Sequence, residues 1–123
     1  MTINLDNLDE EVRKKVLNLQ NLSTTMEYLT NQKIQIESSL RETDLAIEEL
    51  NKINPDDLVY KSIGGIMVKS EKNKLLDEKK SLNVTLEMRV KTLNQKIERT
   101  KNQIDTLRKS IQADLQQQSS KES

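Results

Sequence analysis

Apolar residues recur at alternating steps of three and four from Leu5 onward. With Leu5, Val12, Leu19, Met26, Lys33, Leu40 and Ile47 at heptad position a, position d is filled by Leu8, Lys15, Leu22, Leu29, Ile36, Thr43 and Leu50. The register holds for about six heptads, beyond the three or four that separate a coiled coil from an ordinary amphipathic helix. No Gly or Pro interrupts it, and a first coiled-coil helix is predicted over residues 5–53. The pattern stops at Asn51-Lys52-Ile53-Asn54-Pro55-Asp56-Asp57, because Pro55 has no amide proton to donate and pushes Asn54 toward extended backbone. Beyond Ser70, the expected N-cap, a second helix is predicted over 71–115, with Val90, Ile97, Ile104 and Ile111 at a and Leu86, Leu93, Thr100 and Leu107 at d. Leu75, Leu76 and Leu82 fit that frame less cleanly, so a shift of the seam, as at a stutter, is expected there. Residues 116–123 are polar and are expected to form a frayed tail.

The two arms are nearly equal, each roughly 65–70 Å of helix at 1.5 Å per residue. Equal arms around a short break favour a chain that folds back into an antiparallel coiled coil; the rival is two separate helices that each dimerise with another chain. Folding back sets Ile53 near Glu71, Leu8 and Val12 near Leu115 and Ile111, and Leu17 near Leu107. The fold class is therefore mainly α: two long helices joined by whatever the central segment forms.

That segment, residues 58–70, is rich in β-branched side chains and carries Gly64-Gly65 between two apolar runs, a hairpin signal because Gly takes the positive φ angles of a tight turn. With the glycines at the turn, Ile63 faces Ile66, Ser62 faces Met67, Lys61 faces Val68 and Tyr60 faces Lys69. One face then carries Val59, Ile63, Ile66 and Val68, and the other Tyr60 and Met67. A lone two-stranded hairpin is marginal in water, and no third strand is predicted. Either its edges pair with hairpins of other subunits or the helix ends cover it. The first makes the segment an assembly module; a plain chain-reversing turn is the alternative.

Composition narrows the chemistry. The 123 residues include no His, Cys, Phe or Trp, and 33% are charged. Without His or Cys no Ser–His or Cys–His pair can be assembled, and a structural zinc site lacks its usual ligands. No enzyme activity, metal or cofactor is expected. Twenty acidic against twenty basic residues give no long-range field for nucleic acid or anionic lipid. No stretch approaches the ~20 apolar residues that span a bilayer, and the start, Met-Thr-Ile-Asn-Leu-Asp, lacks the basic and apolar regions of a secretory signal, so a cytoplasmic location is expected. Gly64-Gly65 has no phosphate-loop spacing around it. The pairs Asp56-Asp57 and Glu48-Glu49 are read as a solvated turn and helix face rather than acid–base machinery. The basic stretches Arg89–Lys91 and Arg108–Lys109 have no aromatic stacking platform. Lys15, Lys33 and Thr43 are polar interruptions of the seam that set register at some cost in stability.

The order helix, Asn54-Pro55-Asp56, Val59-Tyr60-Lys61-Ser62-Ile63-Gly64-Gly65-Ile66-Met67-Val68-Lys69, then a helix containing Glu87-Met88-Arg89-Val90-Lys91-Thr92-Leu93 closely resembles prefoldin, in its β-type subunit and archaeal style. One hairpin rather than two marks the β type. The resemblance covers nearly the whole chain and implies a single domain over residues 1–123. It also implies a hexamer of two α-type and four β-type subunits, built on joined hairpins at Val59, Tyr60, Ile63, Gly64, Gly65, Ile66, Met67 and Val68. Its implied function is that of an ATP-independent co-chaperone that holds unfolded polypeptides at the coiled-coil tips and passes them to the cytosolic group II chaperonin. The other reading is a non-chaperone scaffold or tether for one folded partner.

Under the resemblance the tip residues Leu5, Leu8, Val12, Val16, Leu17, Leu107, Ile111 and Leu115 are the client-binding candidates. Val16 at e and Leu17 at f are expected to point outward; the bland alternative is that Val16 widens the seam and Leu17 is an ordinary surface Leu. The first helix is less Gln-rich near its tip than the family pattern, which leaves client preference open.

Overall fold

The computed structural model describes residues 9–122. Helix α1 runs Glu10–Lys52, strands β1 and β2 run Val59–Ile63 and Ile66–Ser70, and helix α2 runs Lys72–Glu122. Leu5 and Leu8, the first positions of the predicted 5–53 helix, lie outside the described residues.

Each boundary has a local cause. Asp9 caps α1: its Oδ1 accepts the Val12 amide at 3.1 Å, and its carbonyl accepts the Arg13 amide at 3.0 Å. Glu10 and Glu11 in the first turn complement the positive end of the helix dipole. At the other end Lys72 Nζ donates to the Ile53 carbonyl at 2.7 Å, satisfying an acceptor that the end of the helix leaves open. Asn54 to Asp57 form a turn closed by reciprocal bonds, Asp57 N to Asn54 O at 3.0 Å and Asn54 N to Asp57 Oδ2 at 2.8 Å. Pro55 sits at its second position, where a fixed φ is favourable.

Two expectations at the ends of α2 are corrected. Ser70 is not the N-cap: it pairs with Val59 as the last residue of β2, and Glu71 takes the cap position, its carbonyl accepting the Leu75 amide at 3.0 Å. The helix also does not stop at 115, since α2 continues to Glu122. Polarity alone does not end a helix, and Gln, Lys and Glu have good helix propensity.

The chain divides into two compact units, one of residues up to Asn31 together with those from Asn94, the other of Gln32–Leu93. In the first, the terminal unit, Val12, Val16 and Ile111 are buried and Leu19, Leu107 and Leu115 pack against them, so the two helical segments run antiparallel. Leu29, Thr100 and Ile104 continue its core, and Thr100 Oγ1 donates to the Lys96 carbonyl at 2.9 Å.

Val16 is a further correction: at 6% exposure it is part of the seam, not an outward residue. The reason is Lys15. Its ammonium donates to Ser110 Oγ at 2.8 Å and pairs with Asp114 at 2.5 Å, and the neighbouring Val16 takes the place in the core. The stem of Lys15 can still cover apolar surface while its charge stays wet.

In the second, the hairpin unit, Thr43, Leu75, Leu86 and Leu93 are buried. The Thr43 hydroxyl donates to the Ser39 carbonyl at 2.8 Å. Half-buried Lys72, Leu76, Lys79 and Asn83 keep the spacing of three and four up to Leu86, while Leu75, off that frame, is buried more deeply than Leu76. Three of those four positions are polar, Lys72, Lys79 and Asn83, with Asn83 Nδ2 donating to Asp44 Oδ1. Leu75 is buried beside the seam and Leu82 is exposed. Among the described residues no helix is long and apolar enough to cross a membrane.

Candidate functional site

The hairpin has the register its sequence predicts: Val59↔Ser70, Tyr60↔Lys69, Lys61↔Val68, Ser62↔Met67 and Ile63↔Ile66. Gly64 and Gly65 take φ of 53° and 82°, the left-handed values of a two-residue turn whose twist matches the strands. A two-residue turn makes Ile63 and Ile66 a hydrogen-bonded pair, and the alternation of an antiparallel ladder then leaves 62/67 and 60/69 non-bonded. The amide and carbonyl groups of Tyr60 and Ser62 therefore point off the outer edge of β1, and those of Met67 and Lys69 off that of β2. Among the described residues the sheet has only these two strands, so both rows are open.

Both faces are open as well. Ile66 is 66% exposed and Met67 64% exposed, on opposite faces, and Tyr60, Ile63 and Val68 are exposed with them. Val59 and Ser70, at the base, are half-buried. All eight residues expected to form the assembly surface thus lie on one small ribbon. Clustered apolar exposure of this kind marks a contact surface, whereas scattered single residues do not.

One feature of the ribbon carries no local sequence signal. Lys61 Nζ pairs with Glu78 Oε2 of α2 at 2.8 Å, linking residues far apart in sequence that no short-range charge pattern relates. The Lys61 hydrogen bond, opposed by desolvation and aided by the charges of Lys61, Lys74 and Lys79, holds the Glu78 carboxyl below its usual range.

The predicted tip residues fare differently. Val12, Val16 and Ile111 form one buried cluster, and half-buried Leu107 and Leu115 pack on it. Leu17, by contrast, is 46% exposed. The expected proximity of Val12 to Ile111 is therefore found, while Leu17 stands outside the cluster that contains Leu107. Beside the cluster, the hydrogen bond to Asp114, opposed by desolvation and aided by the charges of Asp114, Glu11 and Asp9, raises the Lys15 ammonium above its usual range.

Known proteins share this arrangement. The prefoldin subunit family model matches residues 13–118. The prefoldin subunit beta of Archaeoglobus fulgidus is 32% identical over 85% of this chain and 90% of that protein. That of Pyrococcus furiosus is 31% identical over 90% of this chain and 95% of that protein, and that of Methanothrix thermoacetophila 34% identical over 89% and 92%. The crystal structure of the prefoldin beta subunit from Thermococcus strain KS-1 matches with a TM-score of 0.79 at 26% identity, covering 87% of this chain and 94% of that one. With the hairpin, the heptad arms and these relatives in agreement, the chain belongs to the prefoldin family, as a β-type subunit of that co-chaperone.

Proposed function

We propose that this chain joins a hexamer of two α-type and four β-type subunits through its hairpin, and that the assembly holds unfolded polypeptides without ATP and delivers them to the group II chaperonin of the cytoplasm. The observation that carries this reading is the hairpin, a two-stranded ribbon with both edges and both faces uncovered among the described residues. Such a ribbon is marginal alone, and pairing with sibling strands supplies both its missing hydrogen bonds and its missing burial. No catalytic step, nucleotide, nucleic acid or membrane enters the reading.

Client contact is assigned to the far ends of the helices. Leu17 is the exposed member of that set, Leu5 and Leu8 precede the described residues, and Val12, Val16, Leu107, Ile111 and Leu115 contribute where the seam opens. Burying one Leu or Val side chain gains roughly 1.5–3 kcal/mol, and ordering a floppy client offsets much of it. A single arm therefore binds weakly, and several arms on one platform raise avidity by about 10²–10⁴ where the client spans them. Weak contacts multiplied in this way permit holding and release without a nucleotide.

The test is breadth. The complex with an α-type subunit should slow aggregation of several unrelated denatured proteins, and Leu17→Ser should weaken that protection while leaving the complex intact. Protection of none of them would leave a tether for one folded partner as the better reading.

A further inference from the structure

We propose that the Lys61–Glu78 ion pair is a strut that fixes the angle of the hairpin on its own helical arm, making Lys61 and Glu78 positioning residues for assembly. The proposal rests on the reading that the hairpin is the assembly module. The ribbon is attached at its base, through the Asn54–Asp57 turn on one side and Glu71 on the other. Above the half-buried base, β1 and β2 are exposed along the rest of their length, so packing does not hold them upright. Among the described residues the Lys61–Glu78 contact, at 2.8 Å, is the one side-chain hydrogen bond or ion pair that joins a strand to a helix. Lys61 stands two residues above the base on the face that carries Ile63, Ile66 and Val68, and Glu78 stands in the second turn of α2. That face is thereby drawn toward the helix, and the Tyr60–Met67 face is turned away from it.

Angle matters because the open edges offer rows of hydrogen-bonding groups. A neighbouring strand must lie about 4.8 Å away in the plane of the sheet, and hydrogen bonds weaken steeply as they bend. A ribbon free to rock about its base would present those rows over a range of tilts. An exposed ion pair adds little to the stability of a fold, so the strut acts on presentation rather than on folding.

The experiment compares the full chain with Lys61→Met, Glu78→Gln and the exchanged pair Lys61→Glu with Glu78→Lys. Each is mixed with an α-type prefoldin subunit over a concentration series and weighed by native mass spectrometry, and circular dichroism follows its helices. Both single variants should keep the parent's helical signal, and at neutral pH their unfolding midpoints should lie only slightly below the parent's. They should need a higher concentration to assemble, by up to about fivefold per subunit, and the exchanged pair should restore assembly. Single variants that assemble at the parent's concentration, or an exchanged pair that fails to rescue, overturn the strut. A chain lacking Val59 to Lys69 separates the two readings. Continued assembly without the hairpin overturns the assembly reading and the strut together; lost assembly beside normal Lys61→Met assembly overturns the strut alone.

Discussion

The core of the terminal unit and the ribbon of the hairpin unit treat their apolar side chains in opposite ways. In the terminal unit Val12, Val16 and Ile111 close on one another, with Val12 at 2% exposure. In the hairpin unit Tyr60, Ile63, Ile66, Met67 and Val68 stay in solvent. Two helices with facing apolar stripes complete each other's burial. Two strands cannot, because each has two faces and one unpaired edge. The unmet demand therefore gathers on the hairpin, the surface proposed above for assembly.

The sharpest way to break the contrast is to remove apolar groups from the ribbon. Ile63→Ser with Ile66→Ser withdraws two side chains that are exposed in the single chain. Each would contribute roughly 1.5–3 kcal/mol on full burial, so assembly with an α-type subunit should weaken at least about a hundredfold by sedimentation. The unfolding midpoint of the isolated chain should hardly move. An unchanged assembly midpoint would show that these residues meet no partner.

In the terminal unit adjacent residues should separate burial from exposure. Val16→Ser places a hydroxyl in the core and should cost about 2–3 kcal/mol in urea unfolding. Leu17→Ser, at an exposed position, should stay within about 0.5 kcal/mol. Equal losses at the two positions would contradict the burial of Val16.

Much of this was legible in the sequence because it is local or periodic. The helices follow from the heptads, and the hairpin register follows from Gly64-Gly65 and the period of two. Two of the errors share one origin, in that each depended on a partner elsewhere in the sequence. Lys15 occupied d by counting, yet its bonds to Ser110 and Asp114 leave Val16 to fill the core. Ser70 looked like an N-cap until its pairing with Val59 made it a strand residue. The Lys61–Glu78 contact was invisible for the same reason.

A smaller effect tests the turn. Gly64 and Gly65 have open space around them, so a methyl group meets no neighbour, but both sit at positive φ. Gly65→Ala should therefore cost roughly 1–2 kcal/mol through backbone conformation alone. The cost should appear as weaker assembly with unchanged helical circular dichroism. A variant that assembles normally would mean that the turn is not the limiting element.

The smallest expected effect is the pH dependence that each ion pair gives to its unit. Lys15 holds its proton more tightly in the folded chain, chiefly through its hydrogen bond to Asp114. Its contribution to stability is fully present below the ordinary lysine range and is lost as pH rises through the raised native value. Glu78 is lowered, chiefly by its hydrogen bond from Lys61, so its contribution is present above the ordinary carboxylate range and is lost as pH falls through the native value. Asp114→Asn should thus lower the urea midpoint most at neutral pH, with its difference from the parent shrinking toward alkali. Glu78→Gln should show a difference that shrinks toward acid. Both proteins are compared with the parent across one pH series. Differences that stay constant across the series would mean that these ion pairs do not contribute to the stability of the folded chain.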